Sequence, residues 1–238
     1  MAKYWSNSVK VYFGPYDFGT ATTSIGITKA VAVLDPTTLG EAAERGTAGI
    51  KIDTVDWAGL FDDSLSADAG GSLLIGSSTN NVYTVIIGSA TGSVAYAGTG
   101  LLLKAKVVTG VKDLVRQEVS FTIDQALDRC QTYFAKSTAT ATGTNNTGPI
   151  DNAASSTGSG TMYAHVFSIT GSVSTGTTII FFQHSSDTVT WVSMGTAIFT
   201  ATGAQRVSFA GSILRYTRGQ STLSTAGTAV YAMVGKRE

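Results

Sequence analysis

The chain has 238 residues, with 16 basic and 16 acidic side chains, so its formal net charge is zero. This balance excludes the strongly basic surface that is typical of sequence-specific DNA-binding proteins. Gly, Ser and Thr are abundant, at 27, 25 and 35 residues, and these types favour turns and strands over helices. Because 43% of the residues are hydrophobic, the chain can form a packed core. The composition and length predict a mainly β protein of two domains.

Cysteine content and hydropathy exclude several further classes. The single cysteine, Cys130, cannot form an internal disulfide, and we expect it to be a small buried hydrophobe. Residues 1–7 lack the apolar segment of a secretory signal, and no apolar run approaches the roughly 20 residues of a transmembrane helix. We therefore expect the chain to fold in a cytosol and not to insert into a membrane.

Composition changes abruptly in the second half of the chain. Residues 137–160 are almost entirely Ala, Ser, Thr, Gly and Asn, which predicts a flexible linker. The formal charge is −2 over residues 1–137 and +3 over residues 161–238. The predicted organisation is a β domain over residues 1–137, a flexible linker over residues 138–160 and a β domain over residues 161–238.

Within the predicted first domain, residues 36–61 form a long loop followed by a strand. Residues 36–49 are polar and have no core face, which indicates a long loop, and loops of this length are often functional. Residues 49–61 alternate as a strand does, but the apolar phase changes after Ile52. This change predicts a β-bulge near Asp53 or Thr54.

A helix and a hairpin follow in the predicted first domain. The sequence Asp62-Asp63-Ser64 precedes spaced apolar residues, which predicts one short helix that a pair of glycines interrupts. Residues 101–107 and 115–124 alternate with period two. We expect two adjacent antiparallel strands joined by a hairpin loop over residues 109–113.

The second domain shows short alternating runs separated by turn residues. This pattern predicts an antiparallel β-sandwich. The predicted strands are Met162–Ile169, Thr177–His184, Val189–Met194, Arg206–Phe209, Ile213–Thr217 and Ala229–Val234.

Catalytic patterns are scarce. Residues 184–187, His-Ser-Ser-Asp, contain the side-chain types of a serine hydrolase, but neighbours in sequence do not make a triad and no Gly-x-Ser-x-Gly elbow is present. A turn with a polar cap is the favoured interpretation. His165 lies in an alternating run and is expected to be packed rather than metal-bound. We predict that the protein is not an enzyme and has no catalytic residue, metal site or cofactor.

Two ligand hypotheses stay open. Five aspartates between residues 53 and 68 could hold calcium, but they lack EF-hand spacing, and a solvated face is favoured. Trp191 and Tyr216 could form an aromatic platform for a sugar, whereas Phe181 and Phe182 point to opposite faces of a strand, so that at least one belongs to the core. The candidate surface ligand contacts are His184, Asp187 and Trp191.

Three motifs carry a resemblance to a known family. Residues 31–40 form a strand that ends in an Asp-x-Thr-Thr-like loop, residues 48–52 a Gly-Leu-Lys-like strand start with Ile50 in place of Leu, and residues 57–63 a Gly-Phe-Phe-Asp-like strand end. Over residues 5–135 the chain resembles the major tail tube proteins of long-tailed, siphovirus-like bacteriophages. The second domain is similar to accessory β-sandwich domains of phage virion proteins, of immunoglobulin-like or carbohydrate-binding-module-like shape.

The resemblance implies a tail-tube-like β-sandwich or barrel with one short helix and a long loop. It further implies a structural protein of the phage tail, assembled in the host cytoplasm, whose hexameric rings stack into a tube for genome ejection. The implied partners are copies of itself, other tail proteins at the tube ends, and duplex DNA that passes through the lumen without sequence-specific binding. The implied contacts between rings or subunits are Asp35, Thr37, Thr38, Leu39, Glu44 and Arg45.

The second domain would then project outward and meet host-surface glycans. On this interpretation, deleting residues 37–48 should prevent polymerisation, and removing residues 138–238 should spare it. The alternative is a surface adhesin or carbohydrate-binding virion protein that acts through residues 161–238, and a hydrolase is the least favoured class.

Overall fold

The computed structural model describes residues 9–19, 22–34, 47–60, 81–108, 116–123, 127–140, 143–171, 178–224 and 227–237. These residues form sixteen β-strands and no helix, which confirms the mainly β class, and they include no segment that could cross a bilayer as a helix. The chain divides into two compact units. Unit 1 comprises residues 1–20, 81–99 and 128–238, and unit 2 comprises residues 21–80 and 100–127.

Unit 1 contains two antiparallel sheets. Its strands are β1 (Val9–Phe13), β2 (Tyr16–Asp17), β5 (Asn81–Ile87), the first part of β6 (Val94–Val108), β8 (Asp128–Ala139), β9 (Gly143–Asn146), β10 (Ile150–Asp151), β11 (Gly160–Gly171), β12 (Thr178–Ser185), β13 (Val192–Phe199), β14 (Gly203–Phe209), β15 (Tyr216–Leu223) and β16 (Gly227–Arg237). The first sheet has the order β14-β11-β16-β8-β6-β5-β1-β2, and the second has the order β10-β15-β12-β13 with β9 also paired to β15.

The two predicted domains are not the two units of the structure. The C-terminal strand β16 pairs with β8 on one side and with β11 on the other, so residues before 138 and after 160 share one sheet. The boundary at residue 137 falls inside β8. The prediction failed because composition reports only local preferences, whereas this pairing joins strands that lie about a hundred residues apart in sequence.

The predicted linker is also corrected. Residues 143–146 and 150–151 pair with β15, and Ser156 forms a bridge with Ile213. Asn152 donates through its side chain to the carbonyl of Arg215 at 3.1 Å. Small polar residues bury little apolar surface, but here backbone hydrogen bonds to an existing strand hold them in place, and their composition does not reveal that partner.

A core of large side chains lies between the two sheets of unit 1. Alternate residues of β11 and β16 face strands β12 and β13, and Phe182 packs on Tyr133 and Phe209 with ring centroids 5.4 and 4.8 Å apart. A side chain at Gly160 would meet the Phe209 ring at 2.3 Å, so this close approach of the strands requires glycine. Two antiparallel sheets face each other across this core, but the first continues into N-terminal strands and the second includes β9 and β10, so the C-terminal residues alone do not form the predicted sandwich.

The other face of the first sheet buries a second core, because the sheet curls. Tyr163 and Val234 point away from the sandwich and pack with residues of β1, β5 and β6, among them Tyr12 and Ile86. Cys130 lies in the same cluster, and burial raises the pKa of its thiol. The expectation of a buried cysteine that acts as a hydrophobe is therefore confirmed.

A partly buried ion pair links strands of the same sheet. Lys236 Nζ lies 2.9 Å from Asp128 Oδ1, and the Tyr163 hydroxyl donates to Asp128 Oδ2 at 2.6 Å. Arg206 Nε in turn donates to the Tyr163 hydroxyl at 3.3 Å. The four residues come from β8, β16, β11 and β14, so the network fixes strands whose order in the sheet differs from their order in the chain.

His165 is the packed histidine that the sequence predicts. It is 1% exposed, with Nδ1 at 2.8 Å from the Gly14 carbonyl oxygen and Nε2 at 2.8 Å from the Thr84 hydroxyl. A carbonyl can only accept, so Nδ1 carries the proton and Nε2 accepts from Thr84. Burial lowers the pKa of His165 to about 4, although the Gly14 hydrogen bond and Asp17 oppose the shift.

Unit 2 is built on a four-stranded antiparallel sheet. Its strands are β3 (Thr22–Leu34), β4 (Thr47–Leu60), β7 (Arg116–Ile123) and the second part of β6, in the order β3-β4-β7-β6. Val119 and Phe121 are buried, whereas Arg116 and Glu118 are exposed, so the alternation predicted for this strand is confirmed. The predicted pairing of the two adjacent strands is confirmed as well.

The predicted bulge near Asp53 or Thr54 is wrong. Pairing with β3 is regular through both residues, and the register shift in β4 lies between Ala48 and Lys51. Asp53 shares the buried face with Val55, is 3% exposed, and accepts the Leu127 backbone N–H at 2.7 Å through Oδ2. Asp53 thus occupies a core position of this strand as a hydrogen-bonded carboxylate.

Several predicted elements lie outside the described residues. These are the short helix after residue 62, the hairpin loop at residues 109–113 and most of the loop at residues 36–49. The end of that loop is corrected, because Thr47 to Gly49 already belong to β4.

Removing residues 138–238 should unfold unit 1 rather than spare it. The truncation deletes β16 and β11 and thereby exposes Tyr12, Ile86 and their neighbours, which now pack against Tyr163 and Val234. We expect loss of the cooperative thermal transition of this unit and binding of a hydrophobic dye. A truncated chain with a sharp transition would contradict this assignment of the core, and the intact chain is the control.

Acid should destabilise the fold through His165. The unfolded chain takes up this proton near pH 6.5, whereas the folded chain resists it until about pH 4, so stability falls as the pH drops through that window. The expected loss by pH 4 is about 3 kcal/mol. Urea titrations from pH 7 to pH 4 should show a shallower pH dependence in His165→Gln than in wild type. Equal slopes in both chains would contradict the prediction.

Candidate functional site

The loop residues implied by the resemblance cannot be placed. Asp35, Thr37, Thr38, Leu39, Glu44 and Arg45 lie outside the described residues. The two strands that flank them, β3 and β4, are described and pair with each other up to Leu34 and Thr47. The candidate surface in unit 2 is therefore built from this sheet.

Strand β3 forms an edge of the unit 2 sheet. It is 13 residues long and, among the described residues, pairs only with β4. Its sequence contains β-branched residues, no proline and one charged residue, Lys29, and the residues from Thr23 to Ala30 are mostly exposed. A long edge with so few charges offers its backbone N–H and C=O groups to another strand, and proteins usually guard against this with charge or proline.

Lys29 is itself used within unit 2. Its Nζ donates to the Leu127 carbonyl at 2.8 Å, while Asp53 accepts the N–H of the same residue. Lys29 and Asp53 are direct cross-strand partners. Together they bind the backbone N–H and C=O of one residue, Leu127, so the single charge of the edge strand has a fixed internal partner.

The exposed face of the same sheet carries two rows of small and acidic side chains. Register places Ser24, Ala58, Glu118 and Lys106 in one row across all four strands. In the next row Asp56 lies beside Gly26 and Ser120, and the Ser120 hydroxyl donates to Asp56 Oδ1 at 2.6 Å. These rows line a groove of about 610 Å³.

The second candidate region is the turn after β12, where the His-Ser-Ser-Asp sequence lies. Asp187 Oδ1 accepts the backbone N–H groups of Val189 and Thr190, each at 2.9 Å, and the Ser185 hydroxyl also at 2.9 Å. These hydrogen bonds, the Thr190 one first, lower the pKa of Asp187. Thr188 has a φ of 66°, a left-handed conformation that the capped turn stabilises. The favoured interpretation as a polar-capped turn is confirmed.

His184 does not join this turn as a base. Its Nδ1 accepts the Leu214 backbone N–H at 3.1 Å, and burial lowers its pKa. The Ser185 hydroxyl donates to Asp187 rather than to the imidazole. The structure therefore does not bring the three side chains into the order of base, nucleophile and orienting acid that a hydrolase requires.

Trp191 belongs to a different arrangement, on the outer face of the five-stranded sheet. The Arg218 guanidinium lies 4.3 Å from the centroid of its ring, and the indole N–H donates to the Thr188 carbonyl at 3.0 Å. Arg218 Nε donates to Gln183 Oε1 at 2.8 Å. Of the three predicted surface contacts, only Trp191 is thus part of a side-chain cluster beyond the turn.

The sequence analysis missed the remaining members of this cluster. Gln183 donates to Gln220 at 3.1 Å, and Gln220 donates to Asn146 at 2.9 Å. We name Asn146, Gln220, Gln183, Arg218 and Trp191 the amide row. Period-two spacing of Arg218 and Gln220 could have placed them on one face, but Asn146 lies in the segment predicted as linker.

The aromatic platform and the calcium site that the sequence suggested are not supported by the described residues. Phe182 is in the core and Phe181 is half-exposed, as opposite faces of a strand require. Tyr216 is covered by the Arg215 guanidinium, 4.9 Å from its ring centroid. Among the described residues, no three acidic, histidine or cysteine side chains are grouped closely enough to hold a metal ion, and only Asp53 and Asp56 of the five predicted aspartates are described.

No protein-family model and no curated protein sequence matches this chain. It is similar to the tail of an empty gene transfer agent particle, at 12% identity and a TM-score of 0.39, over 54% of this chain and 98% of that one. It is also similar to the SPP1 tail tube, at 11% identity and a TM-score of 0.38, over 53% of this chain and 78% of that one. A third similar structure is the SPP1 Dit protein, described as a hub of the adsorption apparatus. The identity is 11% and the TM-score 0.35, over 96% of this chain and 99% of that one.

The role of Asp187 in the turn is testable. Replacing it with Ala removes the acceptor of two backbone N–H groups, so Asp187→Ala should lower the melting temperature by a few degrees. Asp187→Asn keeps one acceptor oxygen and should fall between Ala and wild type. Scanning calorimetry at neutral pH measures the series, and an Ala variant as stable as wild type would contradict the assignment.

Proposed function

We propose that this chain is a structural subunit of a phage tail that polymerises with copies of itself into a tube. The observation that carries the proposal is edge strand β3, whose outer side pairs with no described strand and whose single lysine is already engaged. Backbone groups at such an edge gain hydrogen bonds only when another strand adds to it. In a closed ring every subunit supplies that strand to its neighbour.

The finer assignments extend the same proposal. Rings would be hexameric and would stack through the loop residues Asp35 to Arg45. The exposed face of the unit 2 sheet would line the lumen, with Asp56 and Glu118 presented to the passing DNA. Like charge lowers the affinity for phosphates, and Lys106, the cation of the row, lies directly beside Glu118.

The proposal assigns the protein no catalytic role. The hydrolase-like side chains of residues 184–187 cap a turn or accept a backbone hydrogen bond, which supports a structural function for them. Its location would be the tail of the virion, after assembly in the host cytoplasm, with other tail proteins at the tube ends.

Electron microscopy of the purified chain tests the proposal directly. Wild type should form rings or tubes at high concentration. The double variant Ser24→Lys/Thr28→Lys adds two charges to exposed positions of β3 and should remain monomeric, because a second strand could not cover both lysines.

The matched control is Thr122→Lys on β7, an inner strand of the same sheet. It adds charge to the sheet without touching the edge, so assembly should persist. A wild-type chain that stays monomeric in light scattering, or a double variant that polymerises normally, would refute the proposal.

A further inference from the structure

The amide row crosses four strands on the outer face of the second sheet of unit 1. Its five side chains come from β9, β15, β12 and the residue that precedes β13. A continuous chain of contacts joins them, from Asn146 through Gln220 and Gln183 to Arg218 and then to the ring of Trp191. No member is acidic, and the row includes one cation.

Gln183 fixes the geometry of the row. It is 6% exposed, and its amide uses both ends: Nε2 donates to Gln220 and to the Ser193 hydroxyl at 3.2 Å, and Oε1 accepts from Arg218. This buried amide holds Arg218 through Nε alone, and the guanidinium lies over the Trp191 ring, 4.3 Å from its centroid. The arginine therefore loses little further freedom when it binds a ligand.

The outward donors of the row remain unused. Neither terminal amino group of Arg218 has a hydrogen-bond partner among the described residues, and Asn146 is exposed and contributes only its carbonyl oxygen to the row. Nearby carboxylates do not compete, because Asp187 is bonded within its turn and Asp151 forms a bidentate pair with Arg215. The row thus presents donors, a cation and an aromatic ring with no anion between them.

We propose that the amide row binds a polysaccharide that carries uronate carboxylates. Arg218 would hold a carboxylate through its two free amino groups, a bidentate geometry to which guanidinium is suited. The amides of Gln220 and Asn146 would bond to hydroxyl groups, and the part of the half-exposed Trp191 ring that Arg218 leaves uncovered would pack against the C–H face of a sugar ring. The extended, shallow row fits a chain of several sugars better than a single small molecule.

This inference goes beyond the proposed tail function and does not rest on it. The site lies wholly on strands of unit 1, and its residues are distinct from edge strand β3 and from the loop at residues 35–45. Binding can therefore be measured on monomer or polymer alike.

Native affinity electrophoresis with the full chain tests the site. Gels contain polygalacturonate, alginate or hyaluronate as uronate polymers, and dextran as the neutral polymer. Wild type should be retarded by at least one uronate polymer and not by dextran. Arg218→Gln and Trp191→Ala should each weaken the retardation about tenfold, the size expected for one charge-assisted contact or one buried ring.

Arg215→Gln is the matched control. Arg215 also lies over an aromatic ring, Tyr216, but Asp151 occupies its guanidinium, so removing it should leave the retardation unchanged. Gln220→Glu is a second variant that keeps the shape of the row and adds a carboxylate at a half-exposed position. It should abolish binding while the melting temperature stays close to that of wild type, which guards against a folding defect in Arg218→Gln.

Three results would overturn the proposal. The first is no retardation by any of the uronate polymers. The second is equal weakening in Arg215→Gln and Arg218→Gln, which would indicate binding by surface charge alone. The third is retardation by duplex DNA with the same dependence on Arg218, which would indicate a general polyanion site.

Discussion

Strand β16 is the element on which unit 1 depends. It lies between β8 and β11 and hydrogen-bonds to both, and its two faces serve two different cores, with Tyr231 and Met233 toward the sandwich and Ala232 and Val234 toward the curled half of the sheet. Because strands from both ends of the chain meet there, neither sequence half has a complete sheet of its own. This is why a boundary drawn at residue 137 does not describe the molecule, and why an accessory domain that could be removed is not the right description of residues 161–238.

The sequence predicted what depends on neighbouring residues. Alternation in residues 116–122 identified a strand with one buried face, and the turn after His184 was recognised from its capping residues. Prediction from the sequence failed where a residue's burial or pairing depends on a partner that is distant along the chain. Asp53 broke the apolar pattern, yet it is buried because it accepts the Leu127 N–H, and nothing near residue 53 reveals that contact. The residues taken for a linker are ordered by β15, more than sixty residues further along the chain.

The residues of the candidate sites likewise fall into those that the sequence predicted and those that it did not. Asp187 and His184 were found because acids and histidines attract attention in a sequence, but their polar atoms are occupied by backbone groups of the fold. Gln183 and Gln220 were not found, because an amide in a strand has no motif. Their importance arises from register, which places β12 beside β15 and aligns their amides with Arg218.

Whether a polar group is already satisfied separates structural residues from functional ones in this molecule. Lys29, Asp53, Asp128 and Asp187 all have close partners, and each is explained by the stability of its own unit. The features that retain hydrogen-bonding capacity unused by the described residues include the outer backbone edge of β3 and the terminal amino groups of Arg218. The first offers main-chain groups in a line and so selects another strand, whereas the second offers a planar cation beside an aromatic ring and so selects an anion with an apolar face. The two surfaces therefore differ in the chemistry of their partners, and a subunit that polymerises through one remains chemically able to bind a polysaccharide through the other.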